Sequence, residues 1–245
     1  MSLIINIIMG LLVGFLIDYL ADVLPSTHNI IQPTCEECHQ PFPIKDYFFS
    51  MKCPHCSHRK SLRSIIVLVS MVVVCILLHY FPFHNLGFWA TLPILTYLGL
   101  VAVIDIEHHL VLGETTLFGI VLFLIYGVVL HGWTSTLVGA LAGFLIMLVF
   151  YFLGMAFSKI VGKLRHREIS EVAFGFGDVT TSGILGLFAG WPVIIGSIIL
   201  GFVAFTVYSV IFLSILILTK KYKAFANALP FTPFLILGMI IIYYL

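Results

Sequence analysis

The chain has 245 residues, of which 61% are hydrophobic and 9% are charged, and its formal net charge is +1. A soluble domain carries roughly 25% charged residues and covers its core with them, so this composition excludes a soluble globular protein. Runs of roughly twenty apolar residues recur along the chain, and each can cross a hydrocarbon core as one helix. We therefore predict an all-α, polytopic membrane protein built as a helical bundle.

Hydropathy predicts about eight transmembrane helices. In chain order they cover residues 2–24, 64–82, 87–106, 113–131, 134–158, 178–189, 191–219 and 230–245. The first lacks a basic amino-terminal region and an obvious small-residue cleavage site, so we expect a retained helix rather than a signal peptide. The sixth is too short to cross alone, and only the break at 190–192 separates it from the seventh.

Every Lys and Arg of the chain falls in three of the connections between these helices. Five lie in 25–63, four in 159–177 and three in 220–229, which accounts for all twelve. By the positive-inside rule these connections face the cytoplasm, and both termini are expected outside. The same alternation brings Asp105, at the end of the third span, and Asp178, at the start of the sixth, to the cytoplasmic face.

The first long connection contains two CxxC pairs in the stretch "CEECHQPFPIKDYFFSMKCPHC". The spacing of Cys35, Cys38, Cys53 and Cys56 is typical of four thiolates that bind one structural zinc ion. Two disulfides or a redox pair are the alternative, but a cytoplasmic loop lies in a reducing compartment. We expect zinc, with iron as the remaining metal. The role is structural, because four thiolates leave no open coordination position.

The stretch "FGFGDVT" at 174–180 places Asp178 at the start of an apolar run. Ionisable groups at membrane depth are costly and commonly functional, although a single acid at a helix end can simply reach interfacial water. Gly175 and Gly177 let backbone and substrate approach the carboxylate. If packing joins Asp105 to Asp178, the two share a proton, because neighbouring like charges cannot both ionise. One acid then activates water and the other protonates a carbonyl, as in an aspartic peptidase.

Several stretches together resemble the type IV prepilin peptidases, whose GxGD motif is shared with presenilin-type and preflagellin peptidases. "GFGD" at 175–178 resembles the second catalytic motif, and Asp105 in "VIDIEHHLV" resembles the first. "GFLIDYLADVLP" at 14–25, the tandem CxxC loop, and "LPFTPFLILGM" with Pro230 and Phe231 are similar to further family motifs. The resemblance covers nearly the whole chain.

The resemblance implies that Asp105 and Asp178 remove the short basic leader of prepilins or pseudopilins, at the cytoplasmic face of the bacterial inner membrane. Many members then methylate the new amino terminus with S-adenosylmethionine. The partners implied are these substrates and the lipid bilayer, without nucleic acid. The residues implied for the substrate-binding loops are Gly175, Gly177, Asp18, Pro230 and Phe231.

The predicted domains are a first helix at 1–24, a zinc-binding segment at 25–63 and a transmembrane peptidase domain at 64–245. After Asp105, the stretch "IEHHLVLGETT" lacks the Leu-Pro-Asp ending often seen in the family, and three single positions also depart from its pattern. They are Thr180 in place of a frequent Lys, Asp18 in place of Asn, and Val23 in place of Arg. The last two bear on methylation more than on cleavage.

Two other classes compete with this interpretation. A proton-coupled transporter would use Asp105 and Asp178 to carry protons, but no acids line a path to the opposite face. A zinc-ribbon scaffold without catalysis would leave the glycine-flanked Asp178 unexplained. We therefore predict a membrane aspartic endopeptidase.

Overall fold

The computed structural model is entirely helical, without β-strands, over the residues that it describes. Those residues are 3–27, 32–33, 35, 38, 40, 47, 56, 62–83, 86–165, 175–219 and 229–244. The all-α prediction is confirmed for this part of the chain. Most of the Lys and Arg residues that predict orientation lie outside it, so the cytoplasmic placement of the connections stays a prediction.

The described helices are α1 (Leu3–Thr27), α2 (Leu62–Tyr80), α3 (Phe88–His108), α4 (Gly113–Arg165), α5 (Phe176–Ala189), α6 (Val193–Thr219) and α7 (Thr232–Tyr244). Five of them, α1 to α4 and α6, are long and apolar enough to cross a membrane. α5 has 14 residues and α7 has 13. At 1.5 Å per residue they are about 20 Å long, shorter than the roughly 30 Å hydrocarbon core. The prediction of eight transmembrane helices is therefore not confirmed.

α4 is too long for one membrane crossing, and the chain reverses direction at Gly132. This residue has φ 77° and ψ 169°, a conformation that glycine adopts at low steric cost. A methyl group added to Gly127 would lie 2.8 Å from Cγ2 of Thr136. Nine residues of a straight helix span about 13.5 Å, so this proximity requires two arms that run side by side. The arms, 113–131 and 133–165, correspond to the predicted spans 113–131 and 134–158.

The structure divides after Ile104 into two compact units. In the first unit, α1 packs on α2 through a narrow face. A methyl group on Gly10 would lie 2.6 Å from Cα of Val72, and one on Gly14 would lie 3.1 Å from Cα of Leu68. Lipid tails are as apolar as the side chains, so helices in a membrane associate through such close contact. The predicted domain boundaries, after residues 24 and 63, stay predictions.

In the second unit, the two short helices each dock on a longer helix through glycine. A methyl group on Gly186 of α5 would lie 2.3 Å from the carbonyl oxygen of Gly139 in α4. A methyl group on Gly238 of α7 would lie 2.2 Å from the carbonyl oxygen of Ser197 in α6. A side chain at either glycine would separate the helices. The positions of α5 and α7 are thus fixed by contact between backbones.

We expect Gly186→Ala to lower the stability of the protein. The added methyl group must push α5 away from α4, and overpacking of this kind costs about 1–3 kcal/mol. The measurement is the midpoint of thermal unfolding in detergent, followed by tryptophan fluorescence. The control is Gly87→Ala, because a methyl group there meets no atom within 4 Å. Equal midpoints for the two variants would contradict the docking described here.

Candidate active site

Asp178 lies in the first turn of α5, where the GFGD stretch enters the helix. Its Oδ2 accepts a hydrogen bond from the Gly175 backbone N–H at 3.1 Å. In return, the Asp178 backbone N–H donates to the Gly175 carbonyl oxygen at 3.1 Å. This reciprocal pair satisfies backbone groups at the start of the helix. The same motif therefore begins α5 and fixes a carboxylate at its positive end.

Asp105 lies in the last turn of α3. The helix ends at His108, and the following residue, His109, has a left-handed φ of 51° while its N–H donates to the Asp105 carbonyl oxygen at 3.0 Å. Both histidines are exposed. Asp105 is 7% exposed, and its Oδ2 has no hydrogen-bond partner among the described residues. A buried oxygen in this state is costly if it carries charge.

Thr232, the first residue of α7, connects the two acids. Its hydroxyl donates to Oδ1 of Asp178 at 3.0 Å. It also interacts with Asp105 through its side chain and its backbone. The charge of Asp105 acts on Asp178, so the two carboxyl groups are within electrostatic range of each other. Residues that are far apart in the sequence thus form one buried cluster in the second unit.

The two glycines of the GFGD stretch have different surroundings. A methyl group on Gly177 would lie 2.6 Å from Cγ2 of Val111, in the loop between α3 and α4. One on Gly175 would meet nothing closer than 3.8 Å. Gly177 is therefore required for packing of the loop that follows Asp105. Gly175 is exposed, and its backbone conformation of φ −76° and ψ 155° suits any residue.

Phe231 is buried beside α6. Its ring centroid lies 4.9 Å from that of Phe202 and 5.1 Å from that of Phe205. Its carbonyl oxygen accepts hydrogen bonds from the backbone N–H groups of Phe234 and Leu235. Phe231 thus anchors the start of α7 and fixes Thr232, whereas the preceding Pro230 is partly exposed. Substrate binding by Pro230 and Phe231 stays a prediction.

Three of the four predicted metal ligands come together in the first unit. The Sγ atoms of Cys35, Cys38 and Cys56 all lie within 4.8 Å of one another, and Cys35 and Cys56 are 3.5 Å apart. A disulfide would need about 2.05 Å, so Cys35 and Cys56 are not joined by one. Thiolates that share one tetrahedral zinc ion at about 2.3 Å are separated by nearly 4 Å, which these positions fit. Cys53 lies outside the described residues.

A buried polar network links this cysteine cluster to α1 and α2. Tyr47 packs against Cys35, and its hydroxyl lies within hydrogen-bonding distance of Asp22 and, at 3.3 Å, of Asp18, either of which can accept its one hydrogen. Arg63 donates to Asp18 at 2.9 Å and also pairs with Asp22. Burial and the carboxylates of Asp22 and Asp18 raise the pKa of the Tyr47 hydroxyl above its usual range, so it stays a neutral donor.

Asp18 is fully buried in this network. Its carboxylate pairs with Arg63, which also pairs with Asp22, rather than being presented to solvent. A carboxylate that already has a cationic partner attracts a second cation less strongly. The predicted role of Asp18 in binding a basic leader has no contact in the described residues to support it, and it stays a prediction.

Sequence reasoning missed three residues with defined roles in these clusters. Thr232 falls inside the quoted stretch "LPFTPFLILGM", yet a single threonine beside a membrane helix carries no pattern of its own. Tyr47 and Arg63 were not connected to Asp18 because contacts across 29 and 45 residues have no local signature. The signal in the sequence was the acid Asp18 within the apolar helix α1, because a charged group at such a position is costly without a partner.

The site also has a counterpart among known protein families. The sequence model of the type IV leader peptidase family matches residues 92–210, which include both Asp105 and Asp178. The matched segment, a little under half of the chain, is similar to that family. The resemblance drawn from the motifs is thereby confirmed. No match was found among curated proteins or among solved structures.

We expect Gly177→Ala to disturb the loop between α3 and α4, because its methyl group would clash with Val111. The unfolding midpoint in detergent should fall. In the double variant Gly177→Ala/Val111→Ala it should partly recover, because the nearest contact is removed. Gly175→Ala is the matched control for stability, since its methyl group has room. Failure of the second substitution to restore any stability would contradict the assigned contact.

Proposed function

We propose that the protein is a membrane aspartic endopeptidase that removes the basic leader of prepilins or pseudopilins at the cytoplasmic membrane face. One observation carries the proposal: two buried carboxyl groups, Asp105 and Asp178, lie in the segment matched by a leader peptidase family and meet at one threonine, Thr232, which follows that segment. Burial gives such a pair the environment in which one proton is shared. The pair then offers an acid and a base at once.

The chemistry needs only water and the peptide. One carboxylate removes a proton from water as the water oxygen bonds to the carbonyl carbon, and the other acid protonates the carbonyl oxygen. When the C–N bond breaks, the first acid returns its proton to the leaving nitrogen. The second recovers a proton from the tetrahedral intermediate. Neither a covalent intermediate nor a catalytic metal is required for this balance.

The substrate class is supported by the family's description and by the surroundings of the site. A prepilin combines a basic leader with an apolar segment, and the five apolar helices are suited to a lipid bilayer that holds such a segment. The positive-inside rule supports outside termini, and the bacterial inner membrane is what the family resemblance implies. Methylation of the new amino terminus with S-adenosylmethionine is a second step that the family resemblance implies for many members.

For the cysteine cluster we propose structural zinc. The three described thiols are close enough for one ion, and Cys53 would complete a four-thiolate site. Such a site supplies folding energy to a loop that is too small to form its own core. Cys35, Cys38, Cys53 and Cys56 would hold the ion, and it takes no part in hydrolysis.

The catalytic assignment is tested with purified protein in detergent and a prepilin substrate. We expect Asp105→Asn and Asp178→Asn each to lower the cleavage rate by at least about 100-fold, since each removes a proton-transfer group. The matched control is Glu114→Gln, which changes an exposed acid of α4 and should cleave normally. Cleavage that survives both Asp substitutions would exclude the aspartic mechanism. Proton-coupled uptake into vesicles without any cleavage would instead favour a transporter.

The metal assignment is tested by elemental analysis of purified protein. We expect about one zinc ion per chain, and we expect Cys35→Ser to lose it together with part of the thermal stability. Cys75→Ala is the matched control, because this buried thiol of α2 is not part of the cluster and the metal content should be unchanged. Iron in place of zinc, or equal metal content in both variants, would contradict the assignment.

A further inference from the structure

We infer that Thr232 is a positioning residue that keeps Asp178 ionised and leaves the shared proton on Asp105. Asp178 is then the base that activates water, and Asp105 is the acid that protonates the carbonyl oxygen. The inference rests on the proposed peptidase function and adds the division of labour between the two acids.

The Thr232 hydroxyl carries a single hydrogen. A hydroxyl donates one hydrogen bond, although its oxygen can also accept. The donated bond goes to Oδ1 of Asp178 at 3.0 Å. Thr232 also contacts Asp105, to which its backbone N–H can donate. Because the one hydrogen of the hydroxyl is committed to Asp178, the hydroxyl can bond to Asp105 only as an acceptor, and only a protonated carboxyl group can donate to it.

Asp105 and Asp178 differ in the number of hydrogen-bond donors around them. Both oxygens of Asp178 accept a hydrogen bond, Oδ2 from the Gly175 N–H and Oδ1 from Thr232. Hydrogen bonds of this kind stabilise the charged form of a carboxyl group. Asp105 receives the backbone N–H of Thr232, but its Oδ2 has no hydrogen-bond partner among the described residues. Burial without a donor penalises a charged oxygen, so the negative charge is favoured on Asp178, where both oxygens have donors.

Asp105 and Asp178 also lie at opposite ends of their helices. Asp178 lies in the first turn of α5, where the helix dipole favours a negative charge, and Asp105 lies in the last turn of α3, where it opposes one. Repulsion between the two carboxylates is mutual, so it prevents both from being charged without selecting either one. Among the described residues no Lys or Arg acts on either acid to offset the difference in helix direction. The single hydroxyl hydrogen, the donors and the helix directions therefore favour the proton on Asp105.

The assignment fixes each proton transfer. Asp178 takes a proton from water as its oxygen bonds to the carbonyl carbon, while Asp105 gives its proton to the carbonyl oxygen. When the C–N bond breaks, Asp178 returns its proton to the nitrogen and Asp105 recovers one from the hydroxyl that becomes the product carbonyl. Both acids end in the states in which they began.

Kinetics of two Thr232 variants form the first part of the test. Thr232→Val keeps the shape but removes the hydroxyl, and we expect kcat for a prepilin substrate to fall about 10- to 100-fold with little change in KM, as for one lost bond to a charged group. The acidic limb of its pH–rate profile should move to higher pH, because Asp178 loses a donor. Thr232→Ser should restore both properties. A normal profile for Thr232→Val, or a defect shared by Thr232→Ser, would overturn the inference.

Infrared spectroscopy of the full-length protein at neutral pH forms the second part, and it does not depend on cleavage. A protonated carboxyl group has its own C=O stretching band, which shifts in deuterated water. We expect this band to remain in Asp178→Asn and to disappear in Asp105→Asn. Any other pattern would overturn the proton assignment. Loss of cleavage in both Asn variants would still support the peptidase function, so the two ideas fail separately.

Discussion

Contact between helix backbones is the constraint on which the site depends. Asp178 and Thr232 lie on the two shortest helices, and neither helix has the length to be held in place by the bilayer. α5 is fixed where Gly186 meets Gly139, and α7 is fixed where Gly238 meets Ser197. Within lipid, hydrophobic burial does not hold two helices together, because the lipid tails around them are as apolar as the side chains. Fixed backbones therefore allow a 3.0 Å hydrogen bond between residues on different helices.

Much of the helical framework could be predicted because one physical rule decides it. An apolar run without charge forms a helix in lipid, and the bounds of the seven helices accordingly agree with the predicted spans to within a few residues, except where α4 continues past residue 158. Hydropathy likewise predicts a break between the spans 113–131 and 134–158, which is where Gly132 reverses the chain. Hydropathy could not establish whether the runs at 178–189 and 230–245 cross the membrane, because it records composition and not how a short helix is supported.

The site was predictable only where the sequence departs from its own composition. Asp105 and Asp178 can be predicted as functional residues because a carboxylate has a high free-energy cost in an apolar segment. Thr232 cannot, since a membrane helix tolerates a hydroxyl that hydrogen-bonds to its own backbone. Tyr47 and Arg63 are partners of α1 only once the loop has folded. The spacing of the CxxC pairs predicts that the thiols come together. It carries no information about Asp18 and Asp22, the carboxylates that Tyr47 connects to the thiol cluster.

The contact between Val111 and Gly177 links two stretches that are far apart in the chain. They share one fixed volume, and any side chain gained at one position must be given up at the other. Among descendants of this sequence, the two positions are therefore expected to drift as a pair. Val111 has no reactive group, yet its contact with Gly177 limits which residues can replace it.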